Sequence, residues 1–197
     1  LQGTYGTTTS IAENPQGWNA NYQVVDTLDG LRDLVAQMRQ QACIAVDTET
    51  THTNPRFAHI VGYSFCWQPG EAYYVPVRGP LGSVTLNSQD ALDILRPVLQ
   101  DPNIAKVGQN LKYDMVVLRA AGVDLAGVSF DTMIADYLLE AGARNHSLDE
   151  LARRYLQHET IKIKELIGTG RKQKQMDDVP TDVVGSYAAE DADVPVR

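Results

Sequence analysis

The chain has 197 residues, of which 43% are hydrophobic and 21% charged, and it carries a net charge of −8. Those values describe an ordinary soluble globular protein, and the acidic balance argues against a binder that holds nucleic acid by basic charge alone. No apolar run approaches the ~20 residues a membrane span needs, and the start lacks the basic and apolar regions of a signal peptide.

The first residue is Leu1, so the chain is expected to be a piece of a longer protein. Residues 1–21, rich in Gly, Thr, Ser, Asn and Gln, read as a linker or flexible N-terminal segment. Tyr22–Val25 reads as a short edge strand. Thr27 offers an N-cap to a helix whose Leu31, Leu34, Val35 and Met38 fall at helical spacing. A strand opens at Cys43 and runs into Asp47-Thr48-Glu49. Ile60–Trp67 and Ala72–Val77 form an antiparallel hairpin through Gln68-Pro69-Gly70-Glu71. A helix follows with Ala91, Leu92, Leu95 and Leu99 on its apolar face.

Ile104–Val107 is a further strand. Asn110 is positioned to cap the helix Leu111–Ala121. Val128–Phe130 is a short strand, and Asp131 caps the helix Thr132–Glu140. Ser147-Leu148-Asp149-Glu150 reads as a capping box opening a helix to about Gln157. Glu165–Gln175 reads as a basic loop, and the last helix carries Tyr187 and Asp191. Strands up front, followed by helices alternating with strands, give an α/β domain with a mixed sheet. Cys43 and Cys66 both lie in apolar strand-like runs and are expected to be buried free thiols in a reducing, cytoplasmic compartment.

Three acidic clusters carry chemistry. Along a strand alternate side chains share a face, so Asp47 and Glu49 project together. Two adjacent carboxylates resist joint ionisation, and a hard divalent cation relieves the conflict. Asp114 lies in the first turn of a helix, where the helix dipole favours an anion. Tyr187 and Asp191 are four apart and so share a helical face, and Ala188 and Ala189 let that helix approach a sheet closely.

The order D-x-E, N-x-x-Y-D, Y-x-x-x-D resembles the three motifs of the DEDD exonuclease superfamily, in its tyrosine-bearing branch. Lys106–Asp114, Phe130–Met133 and Tyr187–Val194 are similar to the 3′→5′ proofreading exonuclease domain of bacterial DNA polymerase I (family A). The resemblance runs over residues 22–197. It implies an RNase H-like fold with a central mixed five-stranded sheet flanked by helices, the last of them truncated. It implies a cytoplasmic bacterial enzyme, monomeric, that uses two divalent cations, Mg²⁺ with Mn²⁺ as a substitute. The reaction implied is hydrolysis of the 3′ end of single-stranded DNA to 5′-mononucleotides, in a chain that also carries polymerase and 5′-nuclease modules.

Residue by residue, the resemblance makes Asp47, Glu49, Asp114 and Asp191 the metal carboxylates and Tyr187 the residue that positions the attacking water. Gln109 and Asn110 become candidates for sugar or phosphate contact. Ile163 stands where the family often has an aromatic, and Thr53 where it tends to have a wedging Leu. Arg171, Lys172 and Lys174 are candidates for backbone contacts. An inert spacer domain, or an RNA-trimming exonuclease like RNase D, would share the motif skeleton.

Overall fold

A computed structural model describes residues 18–197, so the expected linker at 1–21 falls almost entirely outside the described residues. The strands are β1 (Asn21–Val24), β2 (Cys43–Thr50), β3 (Ile60–Gln68), β4 (Glu71–Pro76), β5 (Ala105–Gly108) and β6 (Val128–Asp131). The helices are α1 (Leu28–Met38), α2 (Ser88–Leu99), α3 (Leu111–Ala120), α4 (Thr132–Leu139), α5 (Leu148–Leu151), α6 (Ile163–Ile167) and α7 (Thr181–Asp193). They build one mixed sheet of order β1-β4-β3-β2-β5-β6. Six strands, not five, make the sheet, because β1 pairs in parallel with β4 at its edge. None of the described helices is long and apolar enough to cross a membrane.

Period-2 alternation along β2 sorts its side chains between two layers. Ile44 and Val46 pack with α1 and α2 through Leu31, Leu34, Met38, Leu95 and Leu99. Ala45 faces the other way, against Ala189 and Ala192 of α7. The small residues of α7 do bring it close to the sheet, as expected from Ala188 and Ala189. Asp47 and Glu49 continue the row of Ala45, so they face α7. Thr48 faces the opposite layer.

Several local expectations are corrected. Asn110 precedes α3 with a left-handed backbone (φ 61°) and makes no side-chain cap; the capping is done from β6 by Asp131. Ser147 accepts from the Glu150 N–H at 3.4 Å, but the Glu150 carboxylate turns to Arg153, so only half of a capping box forms. Beyond α5 the chain widens into a π-helical segment, Ala152–Leu156. The expected basic loop overlaps the end of α6 and holds a short 3₁₀ turn at Gly170–Lys172. Both cysteines are free, and Cys66 is buried, but Cys43 is exposed because it opens β2 at the sheet end.

Candidate active site

β2 pairs with β5 only over Cys43–Ala45, whereas β3 accompanies it to Thr50. Beyond Ala45 the β5-side edge of β2 therefore has backbone groups without a strand partner, and these need another. Asp114, on the first turn of α3 and 2% exposed, supplies it. Its Oδ1 accepts from the Thr48 N–H at 3.0 Å and from the Thr48 hydroxyl at 2.6 Å. Gly108 makes this turn possible: a Cβ there would meet the Val46 carbonyl oxygen at 2.8 Å.

From the other layer α7 brings Asp191. One carboxylate oxygen from each of Asp47, Glu49 and Asp191 lies within 4.8 Å of the others. Ser64, opposite Asp47 on β3, donates to Asp47 Oδ2 at 3.4 Å. Among the described residues, the ion pairs involve none of Asp47, Glu49, Asp114 and Asp191. Burial pushes the Asp47 carboxyl up to about 6. Burial, then the charges of Asp47, Asp191 and Asp114, hold Glu49 well above the usual carboxylate range. Burial and then the Asp47 charge do the same to Asp114 and to Asp191. Tyr187, one turn before Asp191, has its hydroxyl pushed up by burial and then by the charges of Asp191 and Glu49.

Converging carboxylates without basic partners fit a hard divalent cation, whose charge removes the repulsion. For carboxylates whose folded pKa lies above the unfolded value near 4, the folded state holds protons more tightly. Their contribution to stability is complete below pH 4 and is lost as pH rises through the folded values, about 6 for Asp47. A bound cation reverses that loss. At a hundredfold excess over Kd, Mn²⁺ is expected to raise Tm by roughly 5–10 °C at pH 8 and by less than half of that at pH 5. Thermal melts at both pH values check this, and equal shifts would count against the site.

The other acids of the last helix have different work. Glu190 accepts from His158 at 2.8 Å and from the Ile161 N–H at 2.6 Å. Asp193 accepts from Tyr22 and the Gly70 N–H, both at 2.8 Å, and from Arg197 at 3.0 Å. Of the three acids, Asp191 alone belongs to the group with Asp47 and Glu49.

The expected substrate contacts are less concentrated. The Gln109 amide is engaged at both ends: Nε2 donates to the His146 carbonyl at 2.8 Å, and Oε1 accepts from Thr132 at 2.5 Å. Asn110 Oδ1 accepts from Lys112. Ile163 is exposed at the start of α6, whose Leu166 and Ile167 pack on the same apolar cluster as Tyr187. Arg171, Lys172 and Lys174 are exposed, as is Thr53 in the loop after β2.

A cavity of about 430 Å³ beside the first turn of α3 was not anticipated from the sequence; Lys112, Met133, Tyr137, Arg144 and His146 line it. Its wall is fixed by buried Asp136, which accepts from His146 (2.5 Å), Tyr155 (2.7 Å) and Arg154 (2.8 Å). The sequence signal was present only as two cations, Lys112 beside the Asp114 motif and Arg144 in a polar stretch.

The family described as 3′-5′ exonuclease matches residues 22–197. DNA polymerase I of Pseudomonas aeruginosa is 40% identical over 190 residues, which cover 94% of this chain and 21% of that protein. The chain thus spans about a fifth of the length of this curated relative. The solved POL domain of Pol1 from M. smegmatis is 26% identical with a TM-score of 0.58, covering 71% of this chain and 23% of that one. RNase D of Trypanosoma brucei is 19% identical with a TM-score of 0.69, covering 89% of this chain and 62% of that one, which is a likeness of fold. The chain belongs to the 3′-5′ exonuclease family, as the exonuclease domain of the bacterial DNA polymerase I type.

Proposed function

We propose that this domain removes 3′-terminal nucleotides from single-stranded DNA as 5′-mononucleotides, using two divalent cations, Mg²⁺ or Mn²⁺. The observation that carries the reading is the meeting of Asp47, Glu49 and Asp191 within 4.8 Å, with Asp114 seated on Thr48 between the two β2 ligands. Asp47, Glu49 and Asp191 would hold these ions from the face toward α7, and Asp114 would add its carboxylate from α3. Bound there, such ions would lower the pKa of a water and offset charge on the leaving oxygen. Water oxygen bonds to phosphorus as the P–O3′ bond breaks. The departing 3′ oxygen ends as a hydroxyl, and the released nucleotide keeps the phosphate.

Tyr187 is a poor base, because burial and the neighbouring charges keep its hydroxyl neutral. Its role is to hold the attacking water by a hydrogen bond. Tyr187→Phe is expected to slow cleavage roughly 10- to 100-fold with Mn²⁺ affinity unchanged. Unaltered turnover on 3′-labelled DNA would remove Tyr187 from that role.

For the strand, Lys112 and Arg144 suit phosphates and Tyr137 suits a base face, along the cavity next to α3. Asn110, Ile163, Arg171, Lys172 and Lys174 remain proposed contacts. Gln109 supports them indirectly through its bonds to Thr132 and His146. The share of the relatives that this chain spans supports reading residues 22–197 as one module of a longer polypeptide that also carries a polymerase. Matched DNA and RNA oligonucleotides, 3′-labelled and incubated with Mg²⁺, test the substrate: faster loss of label from RNA would replace DNA in this reading.

A further inference from the structure

Tyr74 is fully buried, and its hydroxyl is the one buried side-chain polar atom without a hydrogen-bond partner among the described residues. Buried hydroxyls are nearly always paired, so this one calls for a cause. Its setting is specific. Ser64 on β3 stands opposite both Asp47 and Tyr74, which puts the three in one cross-strand row on the face toward α7. The next row pairs Glu49 with Gly62. A Cβ on Gly62 would collide with Cε2, Cζ and Oη of Tyr74, so the far end of the ring lies over that glycine. The ring therefore leans out of its own row into the row of Glu49.

The packing around the ring is apolar: Val61, Met176, Val179, Val184 and Ala188. Gly185 of α7 keeps it close, since a Cβ there would come to 3.2 Å of Tyr74 Cδ1. After burial, the Glu49 charge is the influence that pushes the Tyr74 hydroxyl upward. Nothing in the activity assigned above uses this hydroxyl.

We propose that Tyr74 is a positioning residue for Glu49, its hydroxyl being the donor that holds the ionised carboxylate in its metal-binding orientation. The inference rests on the reading of Glu49 as a metal ligand. Carboxylate ligands of metals are commonly held by a hydrogen bond from a neighbouring group, and losing such a partner commonly costs 10–100-fold in affinity. Gly62 then has a purpose as well: it leaves room for the ring to reach across to Glu49.

Tyr74→Phe tests this, because it keeps the ring and removes only the oxygen. Mn²⁺ titration calorimetry and metal-free melting are measured together on parent and variant. The expected result is that metal-free Tm is unchanged or higher, since an unpaired buried hydroxyl is removed, while Mn²⁺ binds about 10-fold more weakly. Mn²⁺ affinity within twofold of the parent would overturn the inference, whether or not Tm moves, because the hydroxyl would then serve only the fold. A parent that binds no Mn²⁺ would overturn the ligand assignment itself, and the role of Tyr74 would fall with it.

Discussion

Replacing Asp47 by Ala is expected to lower the rate of 3′-end cleavage by about 10³-fold or more with Mg²⁺ present. Asp47 is the one carboxylate whose charge bears on Glu49, Asp114 and Asp191 alike, and it lies on the strand that the other two elements approach. Loss of 3′ label from single-stranded DNA measures the effect. A variant that degrades DNA as fast as the parent would refute the site.

The isosteric Asp47→Asn separates function from fold. It should be equally inactive, yet at pH 8 without metal it should melt higher than the parent. Removing one of several like charges relieves strain of about 1 kcal/mol or more, roughly 2–4 °C in a domain of this size. The gain should vanish near pH 4, where the carboxylates are protonated in both proteins. A variant that melts lower than the parent at pH 8 would show that Asp47 serves the fold rather than a cation.

Asp131→Ala is expected to be strongly destabilising. Asp131 ends β6, and its two oxygens accept from backbone N–H groups of two helices. Oδ1 takes those of Asn110 (3.1 Å), Met133 (3.0 Å) and Ile134 (3.2 Å), and Oδ2 takes that of Leu111 (2.8 Å). It thus caps α4 locally and α3 from a distance, and α3 carries Asp114. Truncation leaves those donors unpaired, a loss of roughly 3–4 kcal/mol, or about 10 °C in Tm. Asp131→Ser retains a cap for α4 but is too short to span to α3, so it should lose about half as much. Thermal unfolding distinguishes these values, and an Asp131→Ala variant within 2 °C of the parent would contradict the double cap.

Much of the site was legible because its signals are local. Period-2 alternation put Asp47 and Glu49 on one face of β2, and helical spacing put Tyr187 with Asp191. The positions of the apolar strands and of α1, α2 and α3 followed from periodicity and from short-range caps such as Thr27, which accepts from the Gly30 N–H at 3.2 Å. What misled was also local. Asn110 has the side chain of a cap but sits in a left-handed conformation and makes no cap, while Asp131 of another strand holds the Asn110 and Leu111 N–H groups.

Residue types and spacing paired Asp47 with Glu49 and Tyr187 with Asp191, since alternation and the helical turn are properties of neighbours in the chain; that these pairs and Asp114 form one carboxylate site was implied by the resemblance to the exonuclease family. The physical reason these acids meet lies in the packing. Glu190, Asp191 and Asp193 are equally acidic on paper, and their separation into two structural anchors and one member of the site depends on how α7 lies against β2 and β3. Likewise Asp114 reaches Thr48 because β5 parts from β2 after Ala45, and Tyr74 reaches toward Glu49 because Gly62 leaves space on the adjacent strand. Those contacts join residues far apart in the chain, 66 positions for Thr48 and Asp114, so no local pattern encodes them. They follow from where each strand stops and what packs on its face.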